Sequence, residues 1–302
     1  MKNILWVLIV LIVIGVGGWF LLNNSMLTEQ EEPNMEETAT TTEEVMEEKK
    51  EMEVIGKSVD GNDIMAYHYG TGSDEILLVG GIHGGYSWNT ALVAQEAADY
   101  FKENPEVIPT NVMVTVIPVL NPDGLEEVVG VPTATFTAAD VPASAAERES
   151  GRFNANTVDL NRNFDCDWQE EGTWQTKTVS GGSAAFSEPE SAAIKSYIEK
   201  SDPKAVLVWY SAAGGVFASN CHDGVLPETQ VLTDAYAKAS GYKAYQEFNF
   251  YEITGDMVNW LAKEGVPGIS VLLTNHTDIE WSKNKAGIEA LLKHYAVEPK
   301  TE

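Results

Sequence analysis

Glu75–His83 (EILLVGGIH), Thr90–Lys102 (TALVAQEAADYFK) and Val112–Leu120 (VMVTVIPVL) follow one another along the chain, and their reading decides the fold. The first and third are short, continuous apolar runs, the pattern of strands buried on both faces, whereas the second places its apolar residues at helical spacing. Strand, helix and strand in that order form a parallel crossover unit. Outward from it the pattern repeats: Ala205–Ser211 (AVLVWYS) and Ile269–Leu273 (ISVLL) are two more buried strands, and Pro227–Ser240, Asp256–Glu264 and Ala286–Ala296 read as helices. Val54–Tyr69 reads as a hairpin of edge strands around Asp60, Gly61 and Asn62. Asn121–Gly124 (NPDG) reads as a turn, and Ser187, Glu188, Pro189 and Glu190 as a capping box that opens a helix to about Lys200. The expected architecture is an α/β/α sandwich around a mixed, largely parallel sheet, with function at the carboxyl ends of its strands.

Upstream of this domain the composition changes twice. Ile4–Leu22 is an uncharged apolar run of 19 residues, close to the ~20 needed to span hydrocarbon, and reads as a transmembrane anchor behind a short cytoplasmic Met1–Asn3. Asn23–Glu53 holds 11 acidic residues and two lysines with few large apolar side chains, so it reads as a disordered acidic linker to a single domain over residues 54–302. Lys2 ahead of the run and an acidic flank behind it favour the amino terminus inside and the domain outside. Cleavage as a signal peptide near Gly17 or Ser25 would leave the domain on the same side. Of the net charge of −27, the linker carries −9 and Lys2 +1, so the domain itself is at −19, a balance that repels nucleic acid and anionic headgroups.

No phosphate-binding glycine loop follows any strand, and no Gly-x-Ser-x-Gly turn is present, so nucleotide and serine-hydrolase readings fail. His83 stands at the end of a buried strand between glycines; alone, such a histidine is more often structural than a ligand. Cys221, His222 and Asp223 are consecutive donor types, but neighbouring side chains in an extended segment alternate sides and do not converge on one ion. The two cysteines, Cys166 and Cys221, allow either a disulfide or two buried thiols.

The motifs GGIHGGYSWNT (80–90), NPDG (121–124), RFNANTVDLNRNF (152–164), FSEPE (186–190), YSAAGG (210–215), YEITGDMVNW (251–260) and NHTD (275–278) occur in one order. In that order the chain resembles the zinc carboxypeptidases of the carboxypeptidase A type, bacterial members especially, over nearly all of residues 54–292, with VDLNRNF (158–164) the most specific run. The resemblance implies a zinc held by two histidines and a glutamate. His83 matches the first ligand, but Tyr86 or Ser87 stands at the glutamate position and Tyr210 at the second histidine. The family's catalytic glutamate falls on Leu272, or on Leu273 if the gap differs by one residue. Arg162 and Asn161 match the pair that grips a terminal carboxylate, Arg152 the arginine that polarises the scissile carbonyl, and Tyr251 the mobile tyrosine that caps the bound terminus. Val258 lies where family members with apolar pockets carry an apolar residue, while Asp256 would suit a basic side chain. The family architecture also makes a Cys166–Cys221 disulfide plausible, both residues bordering the cleft.

The resulting expectation is a membrane-anchored, extracytoplasmic carboxypeptidase-like protein that has lost zinc catalysis and binds peptide or protein carboxyl termini, with no cofactor and no nucleic acid. One alternative is an active zinc metallocarboxypeptidase, acting on peptides or wall peptides, whose ligands lie elsewhere in the chain. The other is a structural or interaction module whose cleft is filled.

Overall fold

Side chains alternate along the central strands and sort the core into two layers. On one face Ile76, Leu78, Leu207, Trp209, Ile269 and Val271 pack in one cluster; on the other Leu77, Val79, Val206, Val208, Tyr210 and Leu272 pack in a second. Strands buried on both faces are what the continuous apolar runs require. The computed structural model describes residues 51–297. The apolar run 4–22 and nearly all of the acidic stretch 23–53 lie outside them, and no helix among the described residues is long and apolar enough to cross a membrane.

The strands are β1 (Met52–Lys57), β2 (Asp63–Tyr69), β3 (Asp74–Val79), β4 (Val112–Ile117), β5 (Glu171–Trp174), β6 (Lys177–Ser180), β7 (Ala205–Ser211), β8 (Gly215–Ala218), β9 (Lys243–Tyr245) and β10 (Gly268–Leu273). Eight of them form one sheet in the order β1-β2-β4-β3-β7-β10-β8-β9, and β5 and β6 form a separate hairpin. The centre, β4-β3-β7-β10, is parallel, as is β8-β9, while β1-β2, β2-β4 and β10-β8 are antiparallel, so the sheet is mixed. The helices are α1 (Trp88–Glu103), α2 (Pro122–Val129), α3 (Ala145–Arg148), α4 (Pro189–Ser201), α5 (Pro227–Ser240), α6 (Met257–Lys263) and α7 (Trp281–Tyr295). Helices α1, α5 and α7 cover the first face of the sheet, α4 and α6 the second.

Several expectations need correction. β1 begins at Met52, inside the stretch assigned to the linker, and of the hairpin's two strands only β1 is at the edge, because β2 also pairs with β4. NPDG is not a turn but the start of α2: the Asn121 side chain accepts from the Gly124 amide, and Pro122 occupies the first turn, where its missing N–H costs nothing. The expected capping box does not form. α4 is capped at Glu188 without a side-chain bond, because Glu190 instead accepts from the Val59 amide and the Asn154 side chain. The last helix starts at Trp281, a turn and more before Ala286.

The structure pairs Cys166 with Cys221, Cα atoms 6.1 Å apart and 55 residues apart in sequence. The bond ties the segment after Phe164 to the segment leaving β8. Closing a loop of that length stabilises the fold by roughly 4 kcal/mol in the chain-entropy estimate. Replacing both cysteines by alanine is expected to lower the unfolding free energy by about 2–4 kcal/mol, read from urea melts of the full chain under non-reducing conditions; an unchanged midpoint would show that the bond contributes nothing.

Candidate functional site

Beyond the end of β3 the chain turns through Gly80–Gly85, whose tightness is set by what packs on it. Gly84 has φ +40°, and a Cβ there would lie 2.6 Å from the Gly151 carbonyl oxygen. The loop that carries His83 therefore sits directly on the segment that carries Arg152.

Asp159 organises this floor. It is fully buried and accepts from Arg152 Nε at 2.9 Å and Nη2 at 2.7 Å through Oδ2, and from the Asn161 amide at 3.1 Å through Oδ1. Burial opposes its charge, but the Arg152 guanidinium and His83 outweigh burial and hold the carboxyl well below the usual carboxylate range. His83 Nε2 lies 3.4 Å from Asp159 Oδ1, and neither ring nitrogen has a hydrogen-bond partner. Burial first, and the Arg152 charge second, push the imidazole down to about 4, so it is neutral at neutral pH.

Asn161 and Arg162 follow Asp159 in a single 3₁₀ turn. The Arg162 guanidinium donates to the Asn161 carbonyl through Nη1 (2.6 Å) and to the Thr173 carbonyl through Nε (3.2 Å) and Nη2 (2.6 Å). Of an arginine's five N–H groups this leaves one on each Nη without a protein acceptor. Asn161 Oδ1 accepts from the Met257 amide at 3.1 Å and from the Tyr210 hydroxyl at 3.0 Å. Tyr210, at the second-histidine position, thus turns its hydroxyl to the clamp and its ring to His83, centroids 5.8 Å apart. Burial holds its phenol well above 10, so it stays protonated and donates. Leu272, at the catalytic-glutamate position, is directly opposite Tyr210 in the β7–β10 register and 7 % exposed, on the same face of the sheet. Leu273 points into the opposite layer.

Tyr86 is half-buried at the rim, edge-on to Trp174 (5.0 Å) and His276 (4.8 Å). Ser87 is inside, its hydroxyl without a partner. Trp174, which no sequence pattern flagged, comes in on the β5–β6 hairpin and covers Arg152, whose Cζ is 4.4 Å from the ring centroid. His276, in the NHTD motif, contacts Ser211 Oγ at 2.9 Å and is pushed down to about 4 by burial and the arginines Arg148 and Arg152. Tyr251 reaches the cleft beside Phe248, centroids 5.0 Å apart, in an aromatic wall that continues through Phe217 and Phe250. The structure thus gathers His83, Tyr86, Arg152, Asn161, Tyr210, Leu272 and Tyr251 around one cleft, with Arg162 directly behind Asn161.

Asp256 lines the same cleft, 6 % exposed, with Oδ1 unpartnered. Gly255 (φ +63°) presses this segment onto the clamp: its amide donates to the Cys166 carbonyl, and its carbonyl accepts from the Phe164 amide. Burial pushes the Asp256 carboxyl up to about 6 against the opposing pull of Arg162 and of the Val258 and Asn259 amides.

The donor set does not fit a zinc ion held as in zinc carboxypeptidases. His83 offers unpartnered nitrogens, but Tyr86 or Ser87 and Tyr210 stand at the two other ligand positions with neutral phenol or hydroxyl groups, Leu272 stands at the base position, and softer or anionic donors are what zinc takes. Among the described residues one trio of metal-type donors lies close enough to share an ion, Cys166, Cys221 and His222. Two of its members are consumed by the disulfide, and His222 pairs with Asp167 at 2.8 Å.

Comparison with known proteins places the fold and the family. The family model described as zinc carboxypeptidase matches residues 35–285. The γ-D-glutamyl-L-diamino acid endopeptidase 1 of Lysinibacillus sphaericus is 28 % identical over 174 residues, 54 % of this chain and 43 % of that protein, so the chain spans less than half of that curated relative. Murein-tripeptide amidase from Escherichia coli O157 superposes with a TM-score of 0.56 at 21 % identity, over 83 % of this chain and 93 % of the other. Bovine thrombin-activatable fibrinolysis inhibitor, solved with a tick carboxypeptidase inhibitor, gives 0.61 at 16 % identity over 80 % and 86 %.

The raised Asp256 pKa has a signed consequence. The unfolded carboxyl ionises near 3.8 and the folded one near 6, so the folded state binds more protons between those values and stability falls as pH rises through that window. Asp256→Asn is expected to match the wild type at pH 3.5 and to exceed it at pH 7.5 by roughly 1–3 kcal/mol, measured by urea unfolding at both values. Equal stability at pH 7.5 would show the carboxylate is satisfied.

Proposed function

Because the chain belongs to the zinc carboxypeptidase family, we propose that it is a carboxypeptidase-like protein that binds the carboxyl termini of peptides without hydrolysing them. The observation that carries this reading is the Tyr210–Asn161 hydrogen bond beside Leu272: the groups at the metal and base positions are engaged in packing and in holding the clamp. Hydrolysis in the family needs a water activated by the metal and a carboxylate to take its proton, and neither has a counterpart here. What remains suits recognition. Asn161 and Tyr251 line the cleft, Arg162 keeps two N–H groups without a protein acceptor directly behind Asn161, and Arg152 is fixed at the wall by Asp159 and Trp174.

The ligands proposed are wall peptides or the termini of exported proteins, since the bacterial relatives are named for action on murein tripeptide and on a γ-D-glutamyl-L-diamino acid bond. The proposal also places the domain outside the membrane, held by the apolar run 4–22. A disulfide, which persists in oxidising compartments, supports that side.

One observation favours the second reading, an active zinc peptidase. His83 keeps Nδ1 unpartnered while its Nε2 side faces Asp159, as a histidine ligand oriented by a carboxylate does. Metal analysis separates the two. The purified full chain is expected to carry far less than one zinc per molecule and to leave peptides intact; stoichiometric zinc with chelator-sensitive cleavage would establish the enzyme. Arg162→Lys keeps the charge and removes the fork, and should weaken binding of free-acid peptides about tenfold or more, measured at a temperature where circular dichroism shows the variant folded, since its bonds to the Asn161 and Thr173 carbonyls are lost as well. Unaltered affinity would rule out the clamp and favour a filled structural cleft.

A further inference from the structure

Outside the cleft, the Cys166–Cys221 bond stands beside an imidazole. The two sulfurs and a ring nitrogen of His222 lie within 4.8 Å of one another, and among the described residues no other three metal-type donors come so close. The alternation expected of Cys221, His222 and Asp223 in an extended segment is absent. His222 has φ +67°, and the Asp223 amide donates to the Cys221 carbonyl at 2.8 Å, so the chain folds back and the donors of Cys221 and His222 converge. His222 Nε2 contacts Asp167 Oδ1 at 2.8 Å, which leaves Nδ1 to ligate; a carboxylate on the far nitrogen is how metal-bound histidines are commonly oriented. Asp165, Asp167 and Asp223 flank the trio in sequence, and among the described residues only Asp165 of the three pairs with a lysine, Lys263. Their summed field favours a divalent cation at this place.

We propose that, once the disulfide is reduced, Cys166, Cys221 and His222 form a zinc site of two thiolates and one imidazole, oriented by Asp167, so that the ion takes over the cross-link the disulfide supplies. A dithiol is the reductant. Thiol–disulfide exchange transfers its two electrons and two protons to the S–S bond, which opens to two cysteine thiols while the dithiol leaves as its own disulfide. Zinc then displaces the two thiol protons to solvent as two Zn–S bonds form. Two thiolates on a tetrahedral zinc, each at ~2.3 Å, stand roughly 3.8 Å from one another, so Cα atoms already 6.1 Å apart need little movement. His222 is exposed, and solvent reaches the fourth position. Two sulfurs and a nitrogen are a soft set that selects zinc over magnesium or calcium. The place of the cross-link gives the exchange its consequence: the Gly255 amide donates to the Cys166 carbonyl and the Phe164 amide to the Gly255 carbonyl, so the staple backs the segment leaving the clamp turn. With zinc the protein keeps that tie under reducing conditions. The site needs neither peptide binding in the cleft nor its absence.

The test is uptake of zinc, and of cobalt(II) as a spectroscopic stand-in, by the full chain before and after reduction with dithiothreitol and anaerobic desalting. Reduction is expected to add one zinc per molecule, and cobalt(II) to give the near-ultraviolet charge-transfer band of thiolate ligands. His222→Ala is expected to weaken zinc binding by the reduced chain at least tenfold, and Asp167→Asn by about tenfold. No added zinc on reduction, a cobalt spectrum without the thiolate band, or an affinity that survives His222→Ala overturns the site. Circular dichroism covers the case in which the reduced chain unfolds: zinc is then expected to restore the native spectrum, and uptake by a chain that stays unfolded also overturns the site. His83→Ala is expected to leave the reduction-dependent uptake intact; its loss in that variant would assign the ion to the cleft and sink the proposal.

Discussion

The buried ion pair between Arg152 and Asp159 is the constraint on which the rest of the cleft depends. Both side chains are almost wholly removed from water, and the desolvation of two charges is offset only because Nε and Nη2 both reach Oδ2 while Oδ1 takes the Asn161 amide. That last bond starts the 3₁₀ turn that presents Asn161 and Arg162. The same carboxylate faces His83, and the same guanidinium is covered by Trp174. Removing either partner would strand the other charge in the core, and with it the loop from β3, the clamp turn and the β5–β6 hairpin would lose their common anchor.

Around that anchor the site divides into two halves of opposite character. At the sheet, Tyr210 and Leu272 stand opposite one another on β7 and β10 and close the floor with a satisfied hydrogen bond and apolar contact. A phenol whose pKa is driven up by burial remains a donor throughout the physiological range, so the Tyr210–Asn161 bond does not titrate. The shape of the clamp therefore rests on groups of the chain itself. At the rim, Tyr86 and Tyr251 are half-buried and Trp174 is buried, aromatic side chains with few rotatable bonds that order around a ligand at small entropic cost.

What the sequence displayed follows from the physics of each element. The four central strands are buried on both faces, so their apolar runs are unbroken and their bounds fall within a few residues of the structure; AVLVWYS matches β7 residue for residue. The β5–β6 hairpin is only four residues per strand, too short to carry a periodic signal, and Trp174 came with it unseen. Local motifs failed where a distant group competed: Glu190 left its capping box for the Val59 amide and Asn154, partners 131 and 36 residues away. Arg162 was legible as a carboxylate fork, but not its three bonds to backbone carbonyls, which depend on a hairpin and a turn brought together only by folding. Asp159 lay within the quoted VDLNRNF run and could have been read as the partner of Arg152 from the requirement that a buried arginine be neutralised.

The two halves bear on why the cleft is open at all. A domain that served only as a scaffold would gain by closing its cleft throughout as it does at Tyr210 and Leu272, with volume filled and hydrogen bonds complete. At Asp256 the opposite holds: a carboxylate is buried, left with one oxygen unpaired, and pushed up to about 6 by the burial itself. Asparagine there would relieve the charge while keeping nearly the same shape, so the acid is held at a cost to folding that Arg162 and the Val258 and Asn259 amides offset only in part. A buried carboxylate with one oxygen unpaired gives up folding stability at one place in the cleft, whereas Tyr210 and Leu272 close the floor with their polar and apolar needs met.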